Sequence, residues 1–166
     1  MDPGKGLYDK NVDKLTLAID VTVPNERKER IYEPNGTIEM EIENLSEFAR
    51  EAFGSGRFSE SILFIKELPW KIMAQINSKN GNTDQKWLGF YLWCAAAEKV
   101  LLILRTKRSH FFERVELRFS LGCKCSATLR IVSQKGDVTD FSRDFSGQIF
   151  NQTSYSSGFP YFITFE

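Results

Sequence analysis

Histidine is almost missing from this chain: His110, in the stretch RSHFFER, stands alone among 166 residues. A cysteine-histidine nucleophilic pair would need it beside Cys94, Cys123 or Cys125. Cys94 is the natural candidate by residue type. Yet it shares an alternating face with Leu88, Phe90 and Leu92, and a small buried thiol explains it without catalysis. Three cysteines are an odd number, which argues against a disulfide framework and fits a reducing compartment. Cys123-Lys124-Cys125 lacks the paired spacing of a structural zinc site and reads as two strand cysteines on opposite faces.

Net charge is missing too, since 22 Lys+Arg balance 22 Asp+Glu. No overall field draws in nucleic acid or an acidic membrane, so neither is expected as a partner. Residues 88–104, LGFYLWCAAAEKVLLIL, imitate a membrane span, but Glu98 and Lys99 interrupt them. A span needs roughly 20 mostly apolar residues, and central charges are costly there. The first residues, MDPGKGLYDKNVDK, have no apolar core of the secretory kind. The three glycosylation sequons, at Asn35, Asn44 and Asn151, are therefore read as chance or turn chemistry, and the location as cytoplasmic and/or nuclear. No phosphate loop, dinucleotide fingerprint, nucleophile elbow, internal repeat or heptad is visible. The expectation is a monomeric binding module, not an enzyme, with no cofactor and no metal.

Aromatic residues are what the chain has in quantity: 14 Phe, 5 Tyr and 3 Trp. That bias favours β-structure. Alternation confirms it locally. In LPWKIMAQI, Trp70, Ile72, Ala74 and Ile76 fall on one side and Lys71, Met73 and Gln75 on the other. Pro69 has no N–H and is placed at the first residue of that strand. Ile38, Met40 and Ile42 alternate with Glu39, Glu41 and Glu43, as an antiparallel strand with one wet face does. Leu88, Phe90, Leu92 and Cys94 alternate with Gly89, Tyr91 and Trp93. The same period runs through 115–121, 127–131 and 15–23. Residues 141–145 and 159–165 complete the strands, Ser46 is placed as the cap of a short helical turn, and 78–86 is placed in a loop. The basic segment 105–118 is read as a solvated loop and an exposed strand face. Many short strands with turns between them predict an all-β sandwich or barrel. With no catalytic constellation, such a sandwich would bind peptides at a sheet edge or in pockets beside one.

The stretches IEMEIENLSEF, FIKELPWKIMAQI, WLGFYLWC and CSATLRIVSQK, then FSRDFS and GFPYFITF, occur in that order. Together they resemble the MATH (meprin and TRAF-C homology) domain, over about residues 37–98 and 123–166. Within it the resemblance is nearest to the N-terminal MATH domain of the herpesvirus-associated ubiquitin-specific protease. It implies an antiparallel TRAF-like sandwich over 36–166, preceded by an extension or linker at 1–35. It also implies that Trp70 is core and not site. Against the family pattern the chain lacks a final strand and carries an insertion at about 99–121; residues 15–23 are the candidate replacement strand. The family binds short serine-containing peptides in a shallow groove. Carried over by position, that groove would comprise Asn77, Tyr91, Ser156, Ser157, Gly158 and Phe159. Ser156 and Ser157 stand where the protease has Asp and Trp, so the usual acceptor and indole anchor are absent. The implied function is peptide recruitment in a ubiquitin-linked pathway. The alternatives are the non-catalytic N-terminal piece of a MATH-containing deubiquitinase, or a degenerate scaffold without ligand.

Overall fold

A computed structural model describes residues 13–24, 35–79, 82–97, 122–134, 139–151 and 153–165. The elements are β1 (Lys14–Thr22), β2 (Asn35–Glu43), a one-turn helix α1 (Leu45–Phe48), β3 (Gly56–Phe58), β4 (Leu63–Ile65) and β5 (Leu68–Lys79). After them come β6 (Asn82–Cys94), a 3-10 turn (Ala95–Ala97), β7 (Cys123–Val132), β8 (Phe141–Phe150) and β9 (Ser156–Thr164). They form two antiparallel sheets. Sheet A runs β2-β1-β7-β8; sheet B runs β3-β5-β6-β9, with β4 also on β5. The all-β sandwich read from the sequence is the fold observed.

The period of two builds the core. Leu15, Leu17, Ile19 and Val21 of β1, Ile42 of β2 and Leu129 and Ile131 of β7 are fully buried. They meet Trp70, Ile72, Ala74 and Ile76 of β5 and Leu88, Phe90, Leu92 and Cys94 of β6, also fully buried. The Trp70 indole packs edge-on against Phe150 at 5.0 Å. That places it in the core, as the alternation required.

β1 is an inner strand. It pairs with β2 from Lys14↔Glu43 to Thr22↔Asn35 and with β7 from Thr16↔Val132 to Thr22↔Ser126. Sheet A thus takes in part of the segment read as an N-terminal extension or linker. The candidate replacement strand is hydrogen bonded on both edges.

Four local readings are corrected. β5 begins at Leu68, so Pro69 is its second residue, opposite Phe64. The loop placed over 78–86 is mostly strand, because β5 runs to Lys79 and β6 starts at Asn82. Ser46 does not cap α1. Asn44 holds the cap position at φ 52°, while the Ser46 N–H and hydroxyl both donate to the Asp13 carboxylate. Cys123 and Cys125 share the inner face, as a spacing of two in a strand dictates. His110, the basic segment 105–118, the strand at 115–121 and the insertion at 99–121 lie outside the described residues.

Candidate functional site

The outer face of sheet B is where the aromatic surplus goes. Burying Leu88, Phe90 and Leu92 of β6 turns Trp87, Gly89, Tyr91 and Trp93 outward. On β5 the same logic turns Lys71, Met73, Gln75 and Asn77 outward. Register sets these side by side: Met73 opposite Tyr91, Gln75 opposite Gly89, Asn77 opposite Trp87. On the other flank Tyr91 faces Gly158 and Trp93 faces Ser156 of β9.

The centre of this face is a small polar seat. Asn77 Nδ2 donates to the Tyr91 hydroxyl at 3.0 Å and to the Pro160 carbonyl at 2.9 Å. A carbonyl only accepts, so the amide nitrogen must be the atom turned to Pro160. Both amide protons are then used, and Oδ1 remains as an acceptor. Tyr91, accepting from Asn77, keeps its own proton to donate. Burial raises the Tyr91 hydroxyl above the ordinary phenol range; the bond from Asn77 opposes that rise, and Tyr161 adds to it. Burial thus favours the neutral, donating form of the Tyr91 hydroxyl. One donor and one acceptor side by side match the two polar groups of a peptide unit.

Two glycines make the seat possible. A Cβ on Gly89 would lie 2.2 Å from Asn77 Nδ2 and 2.8 Å from the Tyr91 ring. Without it both side chains fold over the bare backbone. A Cβ on Gly158 would lie 2.1 Å from the Phe90 carbonyl oxygen. Only glycine lets β9 approach β6 this closely.

Aromatic pairs flank the seat. At one end Trp93 packs edge-on against Tyr155 at 4.7 Å and Phe58 at 5.1 Å. At the other Trp87 meets Tyr161 at 5.8 Å. Tyr155 and Phe58 are exposed.

Of the positions singled out from the sequence, the structure brings Asn77, Tyr91 and Gly158 together around Pro160. Ser156 and Ser157 lie further along β9, opposite Trp93 and Leu92. Phe159 packs inward on Phe162 at 5.9 Å and supports the face from below. Trp87, Trp93, Tyr155, Tyr161 and Phe58 were not singled out. For Trp87 and Trp93 the signal was present, since they share the outward parity of Tyr91.

Among the described residues no three His, Cys, Asp or Glu side chains are placed to hold a metal ion. Burial pushes the Cys94 and Cys125 thiols up to about 12. No described helix is long and apolar enough to cross a membrane.

Comparison with known proteins agrees at the level of the domain type. No family model matches the chain. No solved structure matches it either. The chain is similar to BTB and MATH domain-containing protein 38 of Caenorhabditis elegans, 24% identical over 137 residues. The match covers 82% of this chain and 29% of that protein, so the chain spans less than a third of the relative's length. It carries no link to the herpesvirus-associated protease. What the distant likeness supports is a MATH-like domain and, with it, a protein-interaction module.

Proposed function

We propose that this domain binds short extended peptide segments of partner proteins on the outer face of sheet B. The observation that carries the reading is the Asn77–Tyr91 seat, a matched donor and acceptor set between two aromatic pairs. Aromatic side chains with a polar tip are the residue types that anchor interfaces. Trp93 lies opposite Ser156, the position where the resembled protease carries its acid, one residue before the indole position Ser157. Among the described residues β9 also ends its sheet, with β6 beside it, and an edge of that kind accepts an added strand. Following the finer resemblance, the role is substrate or partner recruitment in a ubiquitin-linked pathway, by a monomer in the cytoplasm and/or nucleus.

The test is two-dimensional NMR of the labelled full chain, titrated with a degenerate library of serine-containing ten-residue peptides. Expected are shifts at the Asn77 side-chain amide, the Trp93 indole N–H and the Gly158 amide. A folded spectrum unmoved by every pool would favour a scaffold without ligand.

A further inference from the structure

The three cysteines gather at one end of the sandwich. Cys94 closes β6, just before the 3-10 turn, and Cys123 opens β7. In the sequence these two bracket residues 95–122. Cys125 follows on the same inner face as Cys123. All three are thiols; Cys94 and Cys125 are buried and Cys123 is half-buried.

Register and packing bring Cys94 and Cys123 toward each other from opposite sheets. Cys94 lies opposite Trp70 on sheet B, and Cys123 opposite Phe150 on sheet A. The Trp70 and Phe150 rings meet across the core at 5.0 Å and so join the two pairs. β6 and β7 come within 8 Å of each other, Cα to Cα, where stacked sheets usually stand about 10 Å apart. The Cys123 thiol is near enough to oppose ionisation of Cys94. The end of β6 is held in place, because the Cys94 N–H donates to the Tyr155 carbonyl at 2.8 Å. Cys125 is a poor partner for Cys123. Residues two apart on one strand stand about 6.6 Å from each other with parallel side chains, and a disulfide needs Cβ atoms about 3.5–4.5 Å apart.

We propose that Cys94 and Cys123 form a reversible disulfide when the chain meets a peroxide, joining sheet B to sheet A and closing residues 95–122 at their base. Cys123, the thiol that solvent reaches, is oxidised first. Its thiolate attacks one peroxide oxygen and the O–O bond breaks. The products are the sulfenic acid and hydroxide, which takes up the proton the thiol had released and becomes water. The Cys94 sulfur then attacks the Cys123 sulfur. The S–O bond breaks, and the hydroxyl leaves with the Cys94 proton as a second water. Two thiols have lost two electrons and one peroxide has gained them. Burial leaves little of Cys94 ionised, so this second step is the slow one. A bond made on demand suits a chain whose cysteines are otherwise thiols.

The experiment treats the native full chain with hydrogen peroxide and maps its tryptic peptides by mass spectrometry without reduction. Cleavage after Lys124 separates Cys123, in 119–124, from Cys125, in 125–130, and Cys94 lies in 87–99. The cross-link between 87–99 and 119–124 is expected to exceed every other linkage about tenfold, since geometry excludes the same-strand pair. Dithiothreitol should reverse it. A dimedone trap should catch sulfenic acid on Cys123 and none on Cys94. Cys123→Ser should abolish the cross-link and Cys125→Ala should leave it, with amide spectra checking that both variants fold. Cross-linking through 125–130 instead, Cys123 joined only between chains, or Cys123 carried to sulfinic acid while Cys94 stays a thiol would each overturn the proposal. So would the same preference in urea, because the pairing would then come from the sequence and not from the fold.

Discussion

At the scale of single residues, Trp70 shows how packing and polarity separate. Its ring is fully buried against Phe150, yet among the described residues its indole N–H has no acceptor. Trp70→Ala should cost about 3–5 kcal/mol, the usual range for an aromatic emptied from a core. Trp70→Phe keeps much of the volume and removes a buried donor left unpaired, which itself costs about 1–3 kcal/mol. Urea unfolding should therefore show the Phe variant far closer to wild type than the Ala variant. Gly89 invites the opposite test, of site without fold. The atoms a Cβ would strike there belong to the side chains of Asn77 and Tyr91, which can move. Gly89→Ala should leave the unfolding midpoint nearly unchanged and displace the Asn77 and Tyr91 resonances. A large loss of stability would show that the seat is part of the core. The cysteines give a third check. With the Cys94 and Cys125 thiols at about 12, roughly one in ten thousand is ionised near pH 8, and the thiolate is the reactive form. Both should resist a thiol reagent in the native chain and react at once in denaturant. Rapid native labelling of Cys94, read by mass spectrometry, would reopen a nucleophilic role.

At the scale of elements, β1 is tied to both neighbours by one charged group. Asp20 accepts from Thr37 Oγ1 of β2 at 2.6 Å and from Arg130 Nε of β7 at 2.9 Å. Burial works against its charge, but those two hydrogen bonds and the Arg130 charge outweigh it, and the carboxyl is held below its ordinary value. The folded state thus favours the ionised form. The stability this contributes is present above the unfolded carboxyl pKa of about 3.9 and is lost as pH falls through the lower folded value. Asp20→Asn should flatten the loss of stability on acidification below about pH 4, and screening at this half-exposed position keeps the effect modest. An acid limb identical in the two proteins would show that the group does not couple the strands. The elements also show what sequence patterns reveal. Alternation located the cores of β2, β5, β6 and β7 because one face of each is apolar. It missed the ends of β5 and β6, where SKNGNTDQK has turn residues throughout and only backbone pairing extends the strands.

At the scale of the whole molecule, alternation declared that residues 15–23 form a strand but not where it lies. Strand order depends on which hydrogen-bonding edges meet, and the side-chain pattern carries no record of that. The face of the site was legible for a similar reason in part only. Outward parity marks Trp87, Tyr91 and Trp93 in the sequence. Their meeting with Tyr161, Tyr155 and Lys79 needs the β5–β6 and β6–β9 pairings. The inner place of β1 leads to the strongest prediction about the fold. Leu15, Leu17, Ile19 and Val21 are all fully buried, and each such side chain contributes about 1.5–3 kcal/mol. Their sum is comparable to the whole stability of a domain, about 5–15 kcal/mol. Removing residues 1–24 would also leave β2 without its partner in sheet A and open an edge on β7. The truncated chain should lose cooperative unfolding and dispersed amide resonances. A synthetic peptide of the sequence KLTLAIDVT, added in excess, should restore both, because the missing strand makes its contacts through pairing and burial and not through the connection to β2. A truncated chain that melts like the full one would mean that β2 and β7 close on each other and that β1 is dispensable to the sandwich.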